Sequence, residues 1–405
     1  MVWSPISELP WIGRRPVYSL TFVAFLCFSV LAATAQSWKG FLVIRFFQAF
    51  FGSPCLATGG ASMHDLFPHS TVPFSLTIWI AAAFCGPALG PVLAGYVVPE
   101  KGWHLGMWEI AYMAGPTCLL LLLVPETYEP AVKAKRAKAL RDEIQDSMSP
   151  QQSQQKPSSS KHVQALLSSL RDAIIVPFQI AILDPSVAVA NAYTSFIYAT
   201  YYTLFDAIPR VYPHRYNFSA GELGLSFLHV FVACVIAGLV YCAYVHKVLN
   251  PANRQGRLTT HEDRLRPALI ACFLPPVGLI LFAWTSDGKI HWIVGLIGLT
   301  LCSMGTFVIL QCLSVYTPRI YPLHSASLFA SNDFCRSSLA AGAIHFGVPL
   351  YGNLGVAHGV SVLAGLLVLG VPGMWFIYWR GANLRAKSRF VAPKAVLEEA
   401  GRTLA

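Results

Sequence analysis

Charged side chains inside long apolar stretches are the first feature of this sequence that could carry chemistry. Four of them are candidates for proton handling: Arg45, Asp206, Asp333 and Arg336. A charge at the centre of a bilayer costs about 3 kcal/mol on insertion scales, so such residues usually face an internal cavity. Asp333 and Arg336 are three positions apart, and on a helix they could neutralise each other. Arg45 lies near the start of its stretch, so a side chain that extends to the membrane surface is an alternative.

Amides and tyrosines in the same stretches are candidates to line a cavity: Gln48, Asn191, Tyr193, Tyr198 and Asn332. Such side chains inside a helix bundle suit planar, mostly apolar ligands. Gln48 follows Arg45 by three positions and Gly52 follows it by seven, which predicts one shared helix face. A belt of aromatic residues at the membrane surface is the alternative for some tyrosines.

A short charged segment precedes the first apolar stretch. It reads Ser-Glu-Leu-Pro-Trp-Ile-Gly-Arg-Arg-Pro and contains Glu8, Gly13, Arg14 and Arg15. We predict a conformational latch, in which the carboxylate pairs with the guanidinium groups in one state and releases them in another. An ordinary basic flank of a membrane helix is the alternative. His64 and Asp65 are expected to lie in a loop.

Small residues and prolines dominate the third apolar stretch. Ala82, Gly86, Gly90 and Ala94 recur every four positions, which predicts a smooth stripe for close helix approach. Pro87 and Pro91 remove backbone donors and predict a bend, and Gly95 follows them. A bent, tightly packed helix suits a moving interface.

The elements that position these residues are membrane-spanning helices. The chain is 55% hydrophobic and only 12% charged, too little charge for a soluble protein of 405 residues. Apolar runs long enough to cross a bilayer predict ten helices and an all-α polytopic membrane protein: 17–36, 40–62, 72–98, 105–124, 185–208, 223–245, 267–284, 291–314, 325–348 and 355–379.

The 29 Lys and Arg residues predict the orientation of the chain. Most of them lie in the segments 1–16, 125–178, 246–266 and 381–405, which predicts that both termini are cytoplasmic. The polar segment 125–178 is a predicted linker between four spans in 1–124 and six in 179–380, and 381–405 is a predicted tail. Asn217 begins a glycosylation sequon in the opposite, outer loop.

Several of these motifs resemble those of the major facilitator superfamily. They are the Glu8–Arg15 segment, Arg45-Phe-Phe-Gln48 and Gly86-Pro-Ala-Leu-Gly90-Pro91. More narrowly, the chain resembles the fungal twelve-spanner drug:proton antiporters of the fluconazole, benomyl and caffeine resistance branch. That resemblance is carried by Pro125-Glu-Thr-Tyr128, His261-Glu-Asp-Arg-Leu-Arg-Pro267 and Ser327-Leu-Phe-Ala-Ser-Asn-Asp-Phe-Cys-Arg336.

The resemblance implies a major facilitator fold and proton-coupled export of hydrophobic drugs, toxins or secondary metabolites across the plasma membrane. It implies a proton-coupling role for Arg45 and a carboxylate at Asp206, where the family often has Glu. It also implies that the chain lacks the first helix and most of the second. A polyamine or small-metabolite transporter and a truncated, non-transporting remnant are the alternatives.

The expected partners follow from this reading. They are a hydrophobic small molecule, protons and the lipid bilayer, with a monomer as the working unit. We expect no enzyme activity, because no paired catalytic groups occur at membrane depth. We expect no cofactor, no metal and no nucleic acid. The ten cysteines form no C-x-x-C pair, so they are interpreted as small apolar helix residues.

Overall fold

The computed structural model describes residues 2–147, 175, 177–256, 260–321 and 325–386. Everything regular in this part is helical, as predicted. The ten spanning helices are α1 Arg14–Ala33, α2 Trp38–Leu66, α3 Val72–Lys101, α4 Trp103–Leu123, α5 Pro185–Tyr216, α6 Ala220–Arg254, α7 His261–Thr285, α8 Trp292–Ile320, α9 325–354 and α10 356–386. Most of the predicted linker 125–178 and of the predicted tail 381–405 lies outside the described residues.

Two of the ten spans depend on how a bend is interpreted. The short helix Pro177–Leu183 joins α5 at a bend of 92°, and the pair is apolar enough for one crossing. The helix Ser325–Ala386 has 62 residues. If it were straight it would be about 93 Å long, about three times the thickness of a bilayer core. Gly355 interrupts it with φ 75°, ψ 165°, so it forms two crossings.

Several spans consist of shorter helical pieces, and four of these pieces have proline at their first or second position. α2 consists of Trp38–Gly52, Pro54–Ala57 and Gly59–Leu66. α6 consists of Ala220–Ser226, Leu228–Tyr244, a π-helical turn Val245–Leu249 and Asn250–Arg254. α7 consists of a 3₁₀ turn His261–Leu265, then Arg266–Ala271 and Leu274–Thr285. Proline at the start of a helix costs no hydrogen bond, because that N–H has no intrahelical partner. Two further helices, Trp3–Ser7 and Glu129–Ser147, lie outside the spans.

The spans pack as two groups. α1 packs on α2 and α4, whereas α5 packs on the α9–α10 pair and α8 packs on α6 and α7. α3 connects the groups through its contact with α6. Large apolar side chains on the outer faces, such as Leu20, Ile78 and Leu123, are exposed, as lipid contact requires.

The predicted small-residue stripe does not form a tight helix contact in the described chain. A Cβ built at Gly86 or Gly90 meets no heavy atom within 4 Å. The close approach of α3 to α6 uses a neighbouring face instead, where a Cβ on Gly95 would lie 2.5 Å from the carbonyl oxygen of Ala220. The prediction that Gly86 and Gly90 lie at a tight interface is therefore wrong for this structure. The small-residue repeat identifies a smooth helix face, but it does not show which helix packs against that face.

Candidate functional site

A polar network inside the bundle joins α5 to α9. Asn332 Nδ2 donates to Asn191 Oδ1 at 2.9 Å and to Thr194 Oγ1 at 2.7 Å. Asn191 Nδ2 donates to Ser331 Oγ at 3.4 Å. Asn191, Thr194 and Ser331 are buried. Two of the predicted cavity residues, 141 positions apart, thus become direct neighbours.

Two adjacent clefts open beside this network. The first contains about 370 Å³ of open space and lies among α5, α8 and α9, with Asn191, Thr194 and Asn332 in its wall. The second contains about 400 Å³ and lies among α2, α3, α8 and α9. These volumes include space that is open to solvent, and the enclosed part of each cleft is only about 20 to 30 Å³, so a drug-sized molecule would enter only if the helices moved apart. The clefts share one wall, formed by Leu310, Ser314, Phe329 and Asn332.

An ion pair forms part of the second cleft. Arg336 Nη2 lies 2.6 Å from Asp333 Oδ1, and both side chains are largely buried. The Arg336 guanidinium also lies 4.5 Å from the centre of the Tyr198 ring, and Tyr198 donates a hydrogen bond to Tyr202 at 3.0 Å. Within the described part of the chain, Arg336 Nε is buried without a hydrogen-bond partner. The predicted pairing is therefore present, and it leaves one donor available.

Asp206 forms a separate pair outside both clefts. Its Oδ2 lies 3.0 Å from Arg210 Nε, one turn further along α5. The sequence reasoning did not include Arg210, although its spacing of four positions from Asp206 is a recognisable signal for an ion pair on a helix. Asp206 therefore does not lie beside Asp333, and the two carboxylates belong to different clusters.

Arg45 and Gln48 connect α1 to α2. Arg45 Nη1 donates to Gln48 Oε1 at 2.8 Å, and the buried Gln48 donates through Nε2 to Ser29 Oγ at 2.7 Å. The predicted shared face of Arg45 and Gln48 is thus present. Gln48 lines neither of these two clefts. The amide bridges two helices, because Ser29 offers its hydroxyl group across the α1–α2 contact.

Tyr193 also differs from the prediction. Its ring packs against α10, where a Cβ on Gly370 would lie 3.2 Å from Tyr193 Cε2. Successive positions on a helix are separated by about 100°, so Asn191 and Tyr193 point to nearly opposite sides of α5. Only one of them can face the cleft, and it is Asn191.

A charged network lies at one end of the bundle, which we call the linker end because helix Glu129–Ser147 follows α4 there. Arg14 is fully buried, and its Nη2 lies 2.6 Å from Asp65 Oδ2. The backbone N–H groups of Arg14 and Arg15 donate to the two oxygens of Glu126 at 2.9 and 3.2 Å. Glu126 therefore caps the positive end of α1.

Gly13 makes this cap possible. Its φ is +80°, a conformation that favours glycine, and a Cβ at this position would overlap the Glu126 carboxylate. Arg15 extends along α4 and donates through Nη2 to the Leu122 carbonyl at 3.2 Å. The turn before α1 is thus built around one acidic side chain from the segment that follows α4.

Glu8 binds the start of α9 instead of the arginines. Its carboxylate accepts hydrogen bonds from the Ala326 backbone N–H at 2.9 Å and from Ser327 Oγ at 3.0 Å. Burial raises the pKa of Glu8, partly opposed by the nearby Arg14 charge. The predicted direct pairing of Glu8 with Arg14 and Arg15 is therefore wrong. The first N–H groups of a helix lack partners and attract an anion, so α9 provides the better site.

Sequence reasoning missed two members of this network. Asp65, which was expected in a loop, lies in the helical piece Gly59–Leu66 of α2, and Glu126 was singled out only for family resemblance. The signal that could have found Asp65 is a buried arginine, because Arg14 needs a carboxylate partner.

Further contacts between the two groups of spans lie near the same end. His64 Nε2 lies 3.3 Å from the Ser314 carbonyl oxygen, and Gln311 Nε2 donates to the Pro73 carbonyl at 2.8 Å. Arg319 Nη2 donates to the His69 carbonyl. Together with Glu8, these contacts hold α2 and α3 against α8 and α9.

Comparisons with known proteins agree with this arrangement. The family model described as Major Facilitator Superfamily matches residues 1–344. The chain is 42% identical to MFS-type transporter pyvG of Aspergillus violaceofuscus, over 97% of this chain and 72% of that protein. It is 32% identical to Fluconazole resistance protein 1 of Saccharomyces cerevisiae, over 96% and 71%. It is 31% identical to Efflux pump FUB11 of Gibberella fujikuroi, over 100% and 69%.

A solved structure has the same fold. The human organic anion transporter MFSD10 superposes with a TM-score of 0.61 at 17% identity, covering 92% of this chain and 79% of that one. At this identity the likeness concerns the arrangement of helices alone.

Proposed function

The chain belongs to the Major Facilitator Superfamily, and from this premise we propose that it is a proton-coupled exporter of hydrophobic drugs, toxins or secondary metabolites. Its fungal relatives include a named efflux pump and a named drug-resistance protein, which supports efflux transport. We propose the plasma membrane as its location, cytosolic termini and a monomer as the transporting unit. The positions of the basic residues support the orientation.

The observation that carries the proposal is the Asp333–Arg336 ion pair in the wall of the second cleft. When Asp333 is ionised, Arg336 balances its charge, and an apolar molecule can occupy the cleft without isolating a charge. When Asp333 takes up a proton, Arg336 is left as a cation that requires water. Bound substrate would exclude that water, so protonation weakens substrate binding.

An exchanger of protons for substrate requires that the two ligands weaken each other's binding. Coupling between two ligands is reciprocal, so bound substrate also weakens proton binding at Asp333. Asp333 is the only carboxylate among the described residues that line either cleft. A polyamine site would need several acidic groups, so this lining favours uncharged or singly charged apolar substrates.

Helix α9 both lines the proposed substrate clefts and binds Glu8. α9 provides Asn332 and Asp333 to the clefts, and its first residues donate hydrogen bonds to Glu8. Movement of 1–124 against 179–380 would break the Glu8 contacts and open the clefts toward the linker end. The segment 125–178 then serves as the cytosolic tether between the two halves. Arg45 and Asp206 are proposed additional members of the proton path.

Accumulation of labelled fluconazole in a yeast strain without its own drug exporters tests the proposal. Expression of the chain should lower accumulation, and a protonophore should remove the effect. Asp333→Asn should abolish the proton dependence, whereas the matched variant Asp206→Asn, which alters the Asp–Arg pair outside the clefts, tests the alternative carboxylate. Efflux that survives the protonophore would contradict proton coupling. Loss only in Asp206→Asn would move the proton site to α5.

A further inference from the structure

Phe329 occupies a position that the proposed transport cycle does not yet use. It lies on α9, it is only 9% exposed, and it lines both clefts. The other shared wall residues are Leu310, Ser314 and Asn332, all smaller than the Phe329 ring. The ring is therefore the largest side chain in the wall that the two clefts share.

The two sides of this ring differ in chemistry. On one side, Asn191 and Thr194 provide amide and hydroxyl groups for hydrogen bonds. On the other side, the cleft is lined by the aromatic rings of Trp79 and Phe84, with the Asp333–Arg336 pair at its wall. A molecule that spans both sides would meet a hydrogen-bonding site at one end and a flat apolar site at the other.

Contacts from the first group of spans fix the Phe329 ring. A Cβ on Gly60 of α2 would lie 2.6 Å from Phe329 Cε1, so only glycine leaves room for the ring in this position. The Trp79 ring of α3 lies 5.8 Å away, edge to face at 78°. Residues of α2 and α3 thus hold a ring that belongs to α9, and the ring position depends on how the two groups meet.

We propose that Phe329 is a specificity-determining partition of the substrate site, an inference that rests on the proposed function. A compact substrate needs space on only one side of the ring. An elongated substrate, with a hydrogen-bonding group at one end and a planar apolar group at the other, must displace the ring to occupy both clefts. The preferred substrate class is therefore set by the ring and by the space that Gly60 leaves for it.

Export of two azoles tests this assignment. Fluconazole and posaconazole carry a related triazole and difluorophenyl head, but only posaconazole has a long aryl-piperazine tail. Phe329→Ala should raise the ratio of posaconazole export to fluconazole export several-fold. An unchanged ratio of the two exports in Phe329→Ala would overturn the partition. Absence of fluconazole export by the unmodified chain would instead count against the proposed function.

A double-mutant cycle tests whether the contact with Gly60 determines the position of the Phe329 ring. Gly60→Ala should lower the melting temperature of the purified chain and change the ratio of posaconazole export to fluconazole export, because the new methyl group displaces the ring. Addition of Phe329→Ala should remove both effects, since residues in contact do not act additively. Gly342→Ala, on the same helix as Phe329 and with no atom within 4 Å of its Cβ, is the control for helix propensity. If Gly60→Ala lowers the melting temperature equally with and without Phe329, the contact does not set the ring position, and the proposal fails.

Discussion

The Glu8 carboxylate accepts a hydrogen bond of 2.9 Å from the backbone N–H of Ala326, a residue 318 positions away. The bond joins the segment before α1 to the first turn of α9, the helix that carries Asn332 and Asp333. A single acidic side chain therefore connects the linker end to the helix that lines both clefts.

Loss of the Glu8 side chain should weaken this connection measurably. Glu8→Ala leaves the Ala326 N–H and the Ser327 hydroxyl without their partner, and a buried donor without a partner costs about 1 to 3 kcal/mol. Thermal unfolding of the purified chain measures the loss. Glu129→Ala removes an exposed carboxylate that pairs with Lys133, and it should cost less than about 0.5 kcal/mol. Equal losses in the two variants would contradict a stabilising contact between Glu8 and α9.

The Glu8 contact should also depend on pH. Because burial raises the pKa of Glu8, the closed contact binds a proton more tightly than a released, hydrated Glu8. The stabilisation is fully present below the ordinary pKa of glutamic acid and is lost as pH rises through the raised pKa. Hydrogen exchange at the start of α9, corrected for its intrinsic pH dependence, should therefore increase across this window. Glu8→Gln should remove the trend, and a trend that persists in Glu8→Gln would assign it to another group.

Gly13→Ala should destabilise the turn before α1 for two separable reasons. The positive φ disfavours alanine by about 1 kcal/mol, and the new Cβ would displace the Glu126 carboxylate from the Arg14 and Arg15 N–H groups. Gly102→Ala is the matched control, because Gly102 has φ +78° and no atom within 4 Å of its Cβ. The difference in melting temperature between the variants measures the contribution of Glu126. No difference would mean that the cap contributes little.

Arg45→Ala should abolish proton-dependent efflux without reducing surface abundance. The guanidinium donates to Gln48, which donates to Ser29, so the charge is held at the contact between α1 and α2. Lys39→Ala, which removes another cation near the start of α2, is the control and should transport normally. Full efflux by Arg45→Ala would support an arginine that only extends to the membrane surface.

The effect of a large side chain on α3 should depend on which helix packs against the substituted position. It should not depend on whether the position belongs to the small-residue stripe. Gly95→Leu should lower the melting temperature strongly, because its Cβ meets the Ala220 carbonyl oxygen of α6 at 2.5 Å. Gly90→Leu should cost less, because the described chain leaves open space there. A larger loss in Gly90→Leu than in Gly95→Leu would restore the original interpretation of the stripe.

Local properties of the sequence were sufficient for the spans and for contacts within one helix. The apolar runs predicted the long apolar helices of the described residues, because the length of a run and the thickness of a bilayer determine a crossing without reference to other helices. The pairs Asp333–Arg336 and Arg45–Gln48 were predictable for a similar reason. Side chains three positions apart on a helix are neighbours whatever surrounds them.

Only the tertiary structure decided which face of each span meets which neighbour. In a membrane both the lipid and the protein interior are apolar, so an apolar helix face can contact either of them. The spacing of Gly86, Gly90 and Tyr193 therefore could not show which helix each residue contacts. The same holds for Glu8, Arg14 and Asp65, whose partners lie on other elements. Their pairing depends on how the helix ends meet. The sequence shows which residues are charged, but it does not show how far apart they lie in the fold.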